Sequence, residues 1–435
     1  GLLVPTEATL VAEVAAAPSV VTDLPAAAAW ILARQRWAGA DAEPAAPGRN
    51  VLVVRPDALG DVLVCGPAIR AVAARAGKVT MWCGPRGATA APLLPGVDEV
   101  LEFAAPWIEP GHLAVRPAAV TGFVGDLAGH AFDEAIVFTS FHQSALPAAL
   151  LLRLAGIPRI AAISVDYPGS LLDLRHTVPD GMPEPLRALS LAAACGYRLP
   201  PGDDGRLRIG TDPAPLRPGL GPDLSTHLDA GPDPELAPGR RLGAPPDDGS
   251  LPEEARDAQH APRPVIVHPG GSASARTCAP DMMASFVAAL RAAAYPVVVT
   301  GGADERDLTA AVAVDGAVDV GGRTDLPALA ELLAGSSCLV TGNTGPAHLA
   351  AALGVPVVSL FAPTIPFERW APWRTALIRL GDPLAPCAGS RAVVCPVPGH
   401  PCLNEIRPAD VVAAVRTLTS SPQESGAEPA EVSVR

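Results

Sequence analysis

The chain has 435 residues, which at ~150 residues per domain implies two or three domains. Hydrophobic residues make up 49 %, too many for a chain that stays unfolded, yet 50 prolines and 41 glycines exceed what two compact domains with short loops need, so part of the length is expected to be linker. A net charge of −13 argues against broad binding to DNA or RNA, and since Lys78 is the sole lysine among 32 Lys and Arg, an anion held by side chains must be held almost entirely by arginine, whose planar fork suits phosphate.

Residues 1–48 are Ala-rich, with a helical stretch near Ala26 to Trp37, and read as an extension ahead of the first domain. Residue 1 is glycine, so the chain reads as processed or trimmed; no charged segment followed by an uninterrupted apolar one suggests a signal peptide. Residues 49–211 form the first domain. Val51–Val54 is a short apolar run suited to a buried parallel strand, followed by a loop through Gly60 and a helical pattern from Val62 to Ala74. Val79–Cys83, Glu134–Phe138 and Arg159–Ile163 are further strands, with helical segments between them. The longest apolar run, Ala145 to Leu152, is stopped by Arg153 and falls short of the ~20 residues a membrane span needs. Residues 212–264 hold twelve prolines and many acidic residues, with almost no aromatic or β-branched ones, and read as a disordered or extended interdomain linker. A second domain, 265–418, repeats the alternation: strands at Val265–Val267, Pro296–Thr300, Asp319–Val320, Cys338–Thr341 and a final one at Val355–Phe361, with helices at Asp281–Ala294, Glu305–Val314, Leu326–Ala334 and Pro346–Leu353. The tail, 419–435, reads as unstructured. The expected fold is therefore α/β, two Rossmann-like domains facing across a cleft, with ligands at the carboxyl ends of the strands.

Four strand-end loops carry the candidate chemistry. In Arg55-Pro-Asp-Ala-Leu-Gly60-Asp61, Gly60 would allow a tight turn and Asp61 falls in the first turn of a helix, either as a cap or as a carboxylate on the cleft rim. The run is neither GxGxxG nor a Walker loop, so nicotinamide and P-loop chemistry lack support. In His268-Pro-Gly-Gly271-Ser272-Ala-Ser-Ala-Arg276, small residues let N–H groups approach an anion and Arg276 supplies charge. Thr300-Gly301-Gly302-Ala-Asp304-Glu305 offers carboxylates to ribose hydroxyls, or else Asp304 simply caps the helix that follows. In Thr341-Gly-Asn343-Thr344-Gly345-Pro346-Ala-His348, proline at the first helical turn leaves the preceding N–H groups free for a phosphate. Three anion-friendly loops in one domain describe a nucleotide diphosphate pocket.

These four runs together resemble glycosyltransferase family 9, the heptosyltransferase family of GT-B fold, over roughly residues 50–210 and 264–418. The resemblance implies an inverting transfer of a sugar, typically heptose from ADP-heptose, to a lipopolysaccharide-type or other glycan acceptor, with no cofactor beyond the nucleotide sugar and no metal. It implies Asp61 as the catalytic aspartate, Arg276 as the phosphate-binding cation, and Asn343, Thr344, Gly345 and His348 as nucleotide-sugar contacts; the strand-end loops themselves add His268, Gly271, Ser272, Gly301, Gly302 and Glu305 as donor contacts, and a carboxylate on the cleft rim suits Asp61 to act as general base. Asn343 and Cys278 depart from the pattern, since members commonly carry aspartate and tryptophan there. The expected partners are a nucleotide-sugar donor and a glycan or lipid-linked acceptor, without nucleic acid. The protein is expected to be a cytoplasmic monomer with at most peripheral contact at the inner face of the membrane. Two alternatives stay open: a non-catalytic nucleotide-sugar-binding protein and a UDP-sugar epimerase of the same fold. Arg116, His142, Arg153 and Arg175 could face an anionic acceptor or be surface residues. Cys387, Cys395, His400 and Cys402 read as structural cysteines or a loop staple, with a tetrahedral metal site as the other possibility.

Overall fold

A computed structural model describes residues 42–110, 113–210 and 263–420, together with the backbone of 216–218 and 431–433. The helix expected near Ala26–Trp37, most of the linker and most of the tail lie outside the described residues. In the first domain, strands β1 (Asn50–Arg55), β2 (Lys78–Cys83), β3 (Glu99–Glu102), β4 (Glu134–Val137), β5 (Arg159–Ile163), β6 (Leu174–His176) and β7 (Leu216–Pro218) form one sheet in the order β6-β5-β4-β1-β2-β3-β7, with every pair parallel. In the second domain, β8 (Val265–His268), β9 (Val297–Val299), β10 (Val318–Asp319), β11 (Cys338–Gly342), β12 (Val357–Leu360), β13 (Leu377–Leu380) and β14 (Glu431–Ser433) repeat it as β10-β9-β8-β11-β12-β13-β14, again all parallel. The expected two-domain α/β architecture of GT-B type is what is observed. Strand order reverses at β1/β4 and at β8/β11, and such reversals open the crevice where ligands bind in sheets of this kind.

The central strands read as continuous apolar runs because both faces are covered. Val51 and Val53 enter one core with the helix Gly66–Ala73, whereas Leu52 and Val54 enter another with Trp82, Phe103 and Phe123. The first of these cores runs on into the second domain through Ile266, Leu339 and Leu349. The domains thus touch as well as face each other. Their contacts include the helix Leu59–Leu63 against the helix Gly345–Ala352, and Trp373 Nε1 donating to the Gly205 carbonyl at 2.9 Å.

Several boundaries differ from the sequence reading. The last residues of the supposed extension pack on the first domain: Ala45 is buried and its N–H donates to the Gly196 carbonyl at 3.1 Å. The helical pattern Val62–Ala74 is two helices, Leu59–Leu63 and Gly66–Ala73, interrupted where Pro67 starts the second. Strands β3, β6 and β13 escaped notice because three or four residues leave little alternation to read, and Val355–Phe361 is therefore not the final strand. Two segments with no core-forming pattern still supply strands: Leu216–Pro218 pairs with β3 inside the supposed linker, and Glu431–Ser433 pairs with β13 inside the supposed tail. An open sheet edge offers backbone donors and acceptors whatever the side chains are, and proline is tolerated there. Among the described residues, no helix is long and apolar enough to cross a membrane.

Candidate functional site

The loops that leave the two strand-order reversals meet at the domain contact. Asp61 lies in the first turn of the helix Leu59–Leu63, as expected, but it does not cap that helix. Ala58 is the cap position, and no side-chain cap bond is made. Instead Asp61 Oδ1 takes a 2.7 Å ion pair from Arg55 Nη2 and a 3.3 Å contact from Ser140 Oγ, and 22 % of the side chain stays exposed. Arg55, at the end of β1, is buried and also pairs through Nε with Asp57 Oδ2 at 2.9 Å, donates to Ser140 Oγ at 2.9 Å and faces Glu184 at 3.9 Å. Burial opposes its charge, but Asp57, the Cys65 thiol, Asp61 and Glu184 together hold its pKa above the ordinary arginine range. Burial also pushes the Asp57 carboxyl up to about 6 despite Arg55, so of the carboxylates on this arginine it is Asp61 that keeps an open side.

Gly60 serves a different purpose from the expected turn. It lies within the helix, and a Cβ there would come within 2.8 Å of His348 Cδ2 and 3.4 Å of Gly345 Cα. A Cβ on Gly345 would come within 2.6 Å of Leu59 Cδ2. The two glycines thus let the helix carrying Asp61 and the helix carrying His348 cross at close range. His348 is 3 % exposed, and burial pulls its pKa down to about 4 although Asp61 pulls it up. Its ring is packed against Gly60, and its buried Nδ1 has no hydrogen-bond partner among the described residues.

On the second-domain side, Arg276 ends a short turn, Ser274–Arg276, whose backbone crosses over β11. A Cβ on Gly342 would sit 2.7 Å from the Arg276 carbonyl, so glycine there admits the crossing. Burial lowers the pKa of Arg276, and the charge of Asp61 raises it. Gly271 and Ser272 are exposed, and a Cβ on Gly271 would lie 4.0 Å from Thr344 Cβ. Asn343, Thr344 and Gly345 are partly exposed at the start of their helix, where Thr344 makes no side-chain cap bond, Pro346 has no N–H and the Ala347 N–H donates to the Thr344 carbonyl at 3.1 Å, which leaves the N–H groups of Thr344 and Gly345 to meet an anion. His268, by contrast, is buried, with Nδ1 3.0 Å from Thr300 Oγ1 and its carbonyl accepting from Thr341 Oγ1. It ties strand ends together rather than facing the cleft. The cap expected of Asp304 is made instead by Glu305, whose Oε2 accepts from the Gly302 N–H at 2.8 Å and which stands 3.9 Å from the His268 ring. Gly301 is buried beneath it, its carbonyl accepting from the Gly322 N–H.

Of the residues considered for an acceptor, Arg153 is bound to the carbonyls of Ser170, Ile157 and Pro158 and to Asp173, and Arg175 to those of Ser164 and Val165. Both hold loops together. Arg116 starts the helix Pro117–Gly129. Only His142 of the four is at the site: desolvation and then Arg391 lower its pKa, while Asp61 raises it. Cys387 and Cys402 are buried free thiols in the second core, and burial, with Cys387 nearby, pushes the Cys402 thiol up to about 12. Among the described residues no group of three or more His, Cys, Asp and Glu is arranged to hold a metal ion.

The sequence reading overlooked Arg55, although a charged residue closing a buried strand is a visible signal. Of the loop Ser140–Gln143, which leaves β4 beside the first strand-order reversal, only His142 was named; Ser140, Phe141 and Gln143 were missed, although the logic applied to the other strand ends would have selected the whole loop. Arg369 and Arg391 carry no such local signal.

Residues 246–397 match the family model described as glycosyltransferase family 9 (heptosyltransferase). Among characterised proteins, lipooligosaccharide heptosyltransferase 2 of Campylobacter jejuni is 27 % identical over 96 residues, 22 % of this chain and 30 % of that protein. Lipopolysaccharide heptosyltransferase 1 of Pseudomonas aeruginosa is 46 % identical over 67 residues, 15 % of this chain and 19 % of that protein. These matches span less than a third of either relative. Among solved structures, the family 9 glycosyl transferase of Veillonella parvula superposes with a TM-score of 0.60 at 15 % identity, over 86 % of this chain and 97 % of that one. The ADP-heptose lipopolysaccharide heptosyltransferase II of E. coli does so with 0.54 at 21 % identity, over 85 % and 98 %. At these identities the superpositions establish likeness of fold.

Proposed function

We propose that this chain, which carries a glycosyltransferase family 9 domain over residues 246–397, is an inverting glycosyltransferase that moves a heptose from ADP-heptose to a glycan or lipopolysaccharide-type acceptor. The observation that supports this most is the setting of Asp61: a carboxylate that caps nothing, is held on one oxygen by Arg55 and Ser140, keeps 22 % of its side chain exposed, and whose charge acts on Arg276. The names of the relatives from Campylobacter and Pseudomonas support heptose as the sugar.

In this reading the acceptor hydroxyl oxygen attacks the anomeric carbon from the face opposite the diphosphate. Asp61 takes the hydroxyl proton, the new C–O bond forms as the bond to the diphosphate oxygen breaks, and the configuration inverts. The negative charge that develops on the leaving ADP is met by Arg276 and by the N–H groups of Thr344 and Gly345 at the start of the helix, so the reading calls for no metal. Close contact between the domains keeps water, a competing acceptor, away from the sugar. The protein acts as a monomer at the cytoplasmic side, reaching a lipid-linked acceptor by peripheral contact.

The test is a thermal-shift panel of ADP-, GDP-, UDP- and dTDP-sugars followed by transfer assays on Asp61→Asn. A selective rise with ADP-sugars and a 10²–10⁴-fold loss of transfer with donor affinity kept are expected for a lost general base. Response to none of the donors, or an Asp61→Asn protein that transfers at the native rate, would overturn the reading.

A further inference from the structure

The loop after β4 connects three features that otherwise seem unrelated. Ser140 Oγ is 2.9 Å from Arg55 Nη2 and 3.3 Å from Asp61 Oδ1, so it sits on both partners of the Asp61 ion pair. Gln143, three residues on, accepts from the Ser140 N–H at 3.2 Å and donates to Asp57 Oδ1 at 2.6 Å, which closes the loop on itself and on the second carboxylate of Arg55. Between them Phe141 turns to the other domain. The Arg369 guanidinium carbon lies 4.1 Å from its ring centroid and that of Arg391 lies 4.6 Å from it. Arg369 belongs to the helix Phe367–Trp370 and is 6 % exposed, whereas Arg391 lies on the loop that follows β13, with its N–H donating to the Thr364 carbonyl at 2.8 Å. An aromatic ring attracts a cation placed over its face, and the attraction strengthens where water is excluded, as beside Arg369.

We infer that Phe141 is a positioning residue: gripped by Arg369 and Arg391 of the second domain, it orders the loop whose Ser140 and Gln143 set the Arg55–Asp61 pair, so the carboxylate is fully placed only when the domains are together. The inference rests on the proposed role of Asp61. A transferase gains from this coupling because a base that is loose in the open state wastes less donor on water. Hydrophobic packing alone would explain a buried leucine as well as a phenylalanine; the pair of guanidiniums on one ring is what selects an aromatic side chain.

Three substitutions separate the two explanations. Phe141→Ala and Phe141→Leu are expected to lower kcat about tenfold with KM for the nucleotide sugar within about twofold, and Phe141→Tyr, which keeps the ring face, restores most of kcat. In parallel, hydrogen exchange of the amides in 139–145 and 57–63 is expected to quicken in the Ala and Leu proteins and to stay native in the Tyr protein. Leu matching Tyr in both measurements, or a loss carried by KM with native exchange, would overturn the inference. Should the unmodified protein transfer no sugar at all, the proposed function fails, and the exchange series still decides whether the grip on Phe141 orders the loop and the Asp61 segment.

Discussion

Gly60→Ala offers a sharp test of how the two domains are joined, because local and tertiary effects oppose each other there. Within a helix, alanine is favoured over glycine by roughly 0.5–1 kcal/mol, so the helix Leu59–Leu63 by itself would gain. The added methyl, however, would lie 2.8 Å from His348 Cδ2 and 3.4 Å from Gly345 Cα. Carbon atoms settle at about 3.5–4.0 Å, so the ring must retreat by about 0.7–1.2 Å. It has nowhere to go: His348 is 3 % exposed, its neighbour Ala347 is buried, and Leu349 and Ala350 are buried in the core shared by the domains. Overpacking of this kind costs about 1–3 kcal/mol, which against the helix gain leaves a net loss of about 0–2.5 kcal/mol, centred near 1 kcal/mol. Gly345→Ala meets a more yielding neighbour, the Cδ2 of partly exposed Leu59 at 2.6 Å, which can swing away, so that variant should lose less than about 1 kcal/mol. His348→Ala removes the obstacle, and in that background Gly60→Ala should recover the ~0.5–1 kcal/mol of the helix term. Urea unfolding of the four proteins gives the coupling energy, and small-angle scattering reports whether part of the cost appears as separation of the domains. A Gly60→Ala protein that is as stable as the unmodified one while His348 is present would refute the argument.

Acid should weaken the same contact. His348 has a folded pKa of about 4 against an ordinary 6.5, so its neutral packing contributes fully above pH 6.5, and that contribution drains away as pH falls from 6.5 towards 4. The span corresponds to about 3 kcal/mol of stability, and His348→Gln should flatten this limb in pH-dependent urea titrations. Trp82→Ala should cost the first domain about 3–5 kcal/mol, because the indole is fully buried against Phe103, Phe123 and Trp107 with ring centroids 4.8–6.5 Å away; a loss under about 1 kcal/mol by circular-dichroism melts would contradict this packing.

The amino-acid order alone carried the architecture. Short apolar runs such as Val51–Val54 and Cys338–Thr341, alternating with helical segments, demand a parallel sheet covered on both faces, and the strand-end loops with Asp61, Arg276 and Asn343–Gly345 could be picked out by chemistry that is local in the chain. The tertiary structure decided what those residues face. His268 and His348 look alike in sequence, each polar and loop-adjacent, yet one ends up tying β8 to Thr300 and the other wedged on Gly60, because burial depends on which element packs opposite. Gly60 looked like a turn residue and proved to be a spacer between helices more than 280 positions apart in the numbering. The grip of Arg369 and Arg391 on Phe141, and the edge strands Leu216–Pro218 and Glu431–Ser433, depend on partners distant in the chain, which no local pattern encodes. Periodicity records which side of an element is apolar, whereas the identity of its neighbour is settled only when the sheets and helices close on one another.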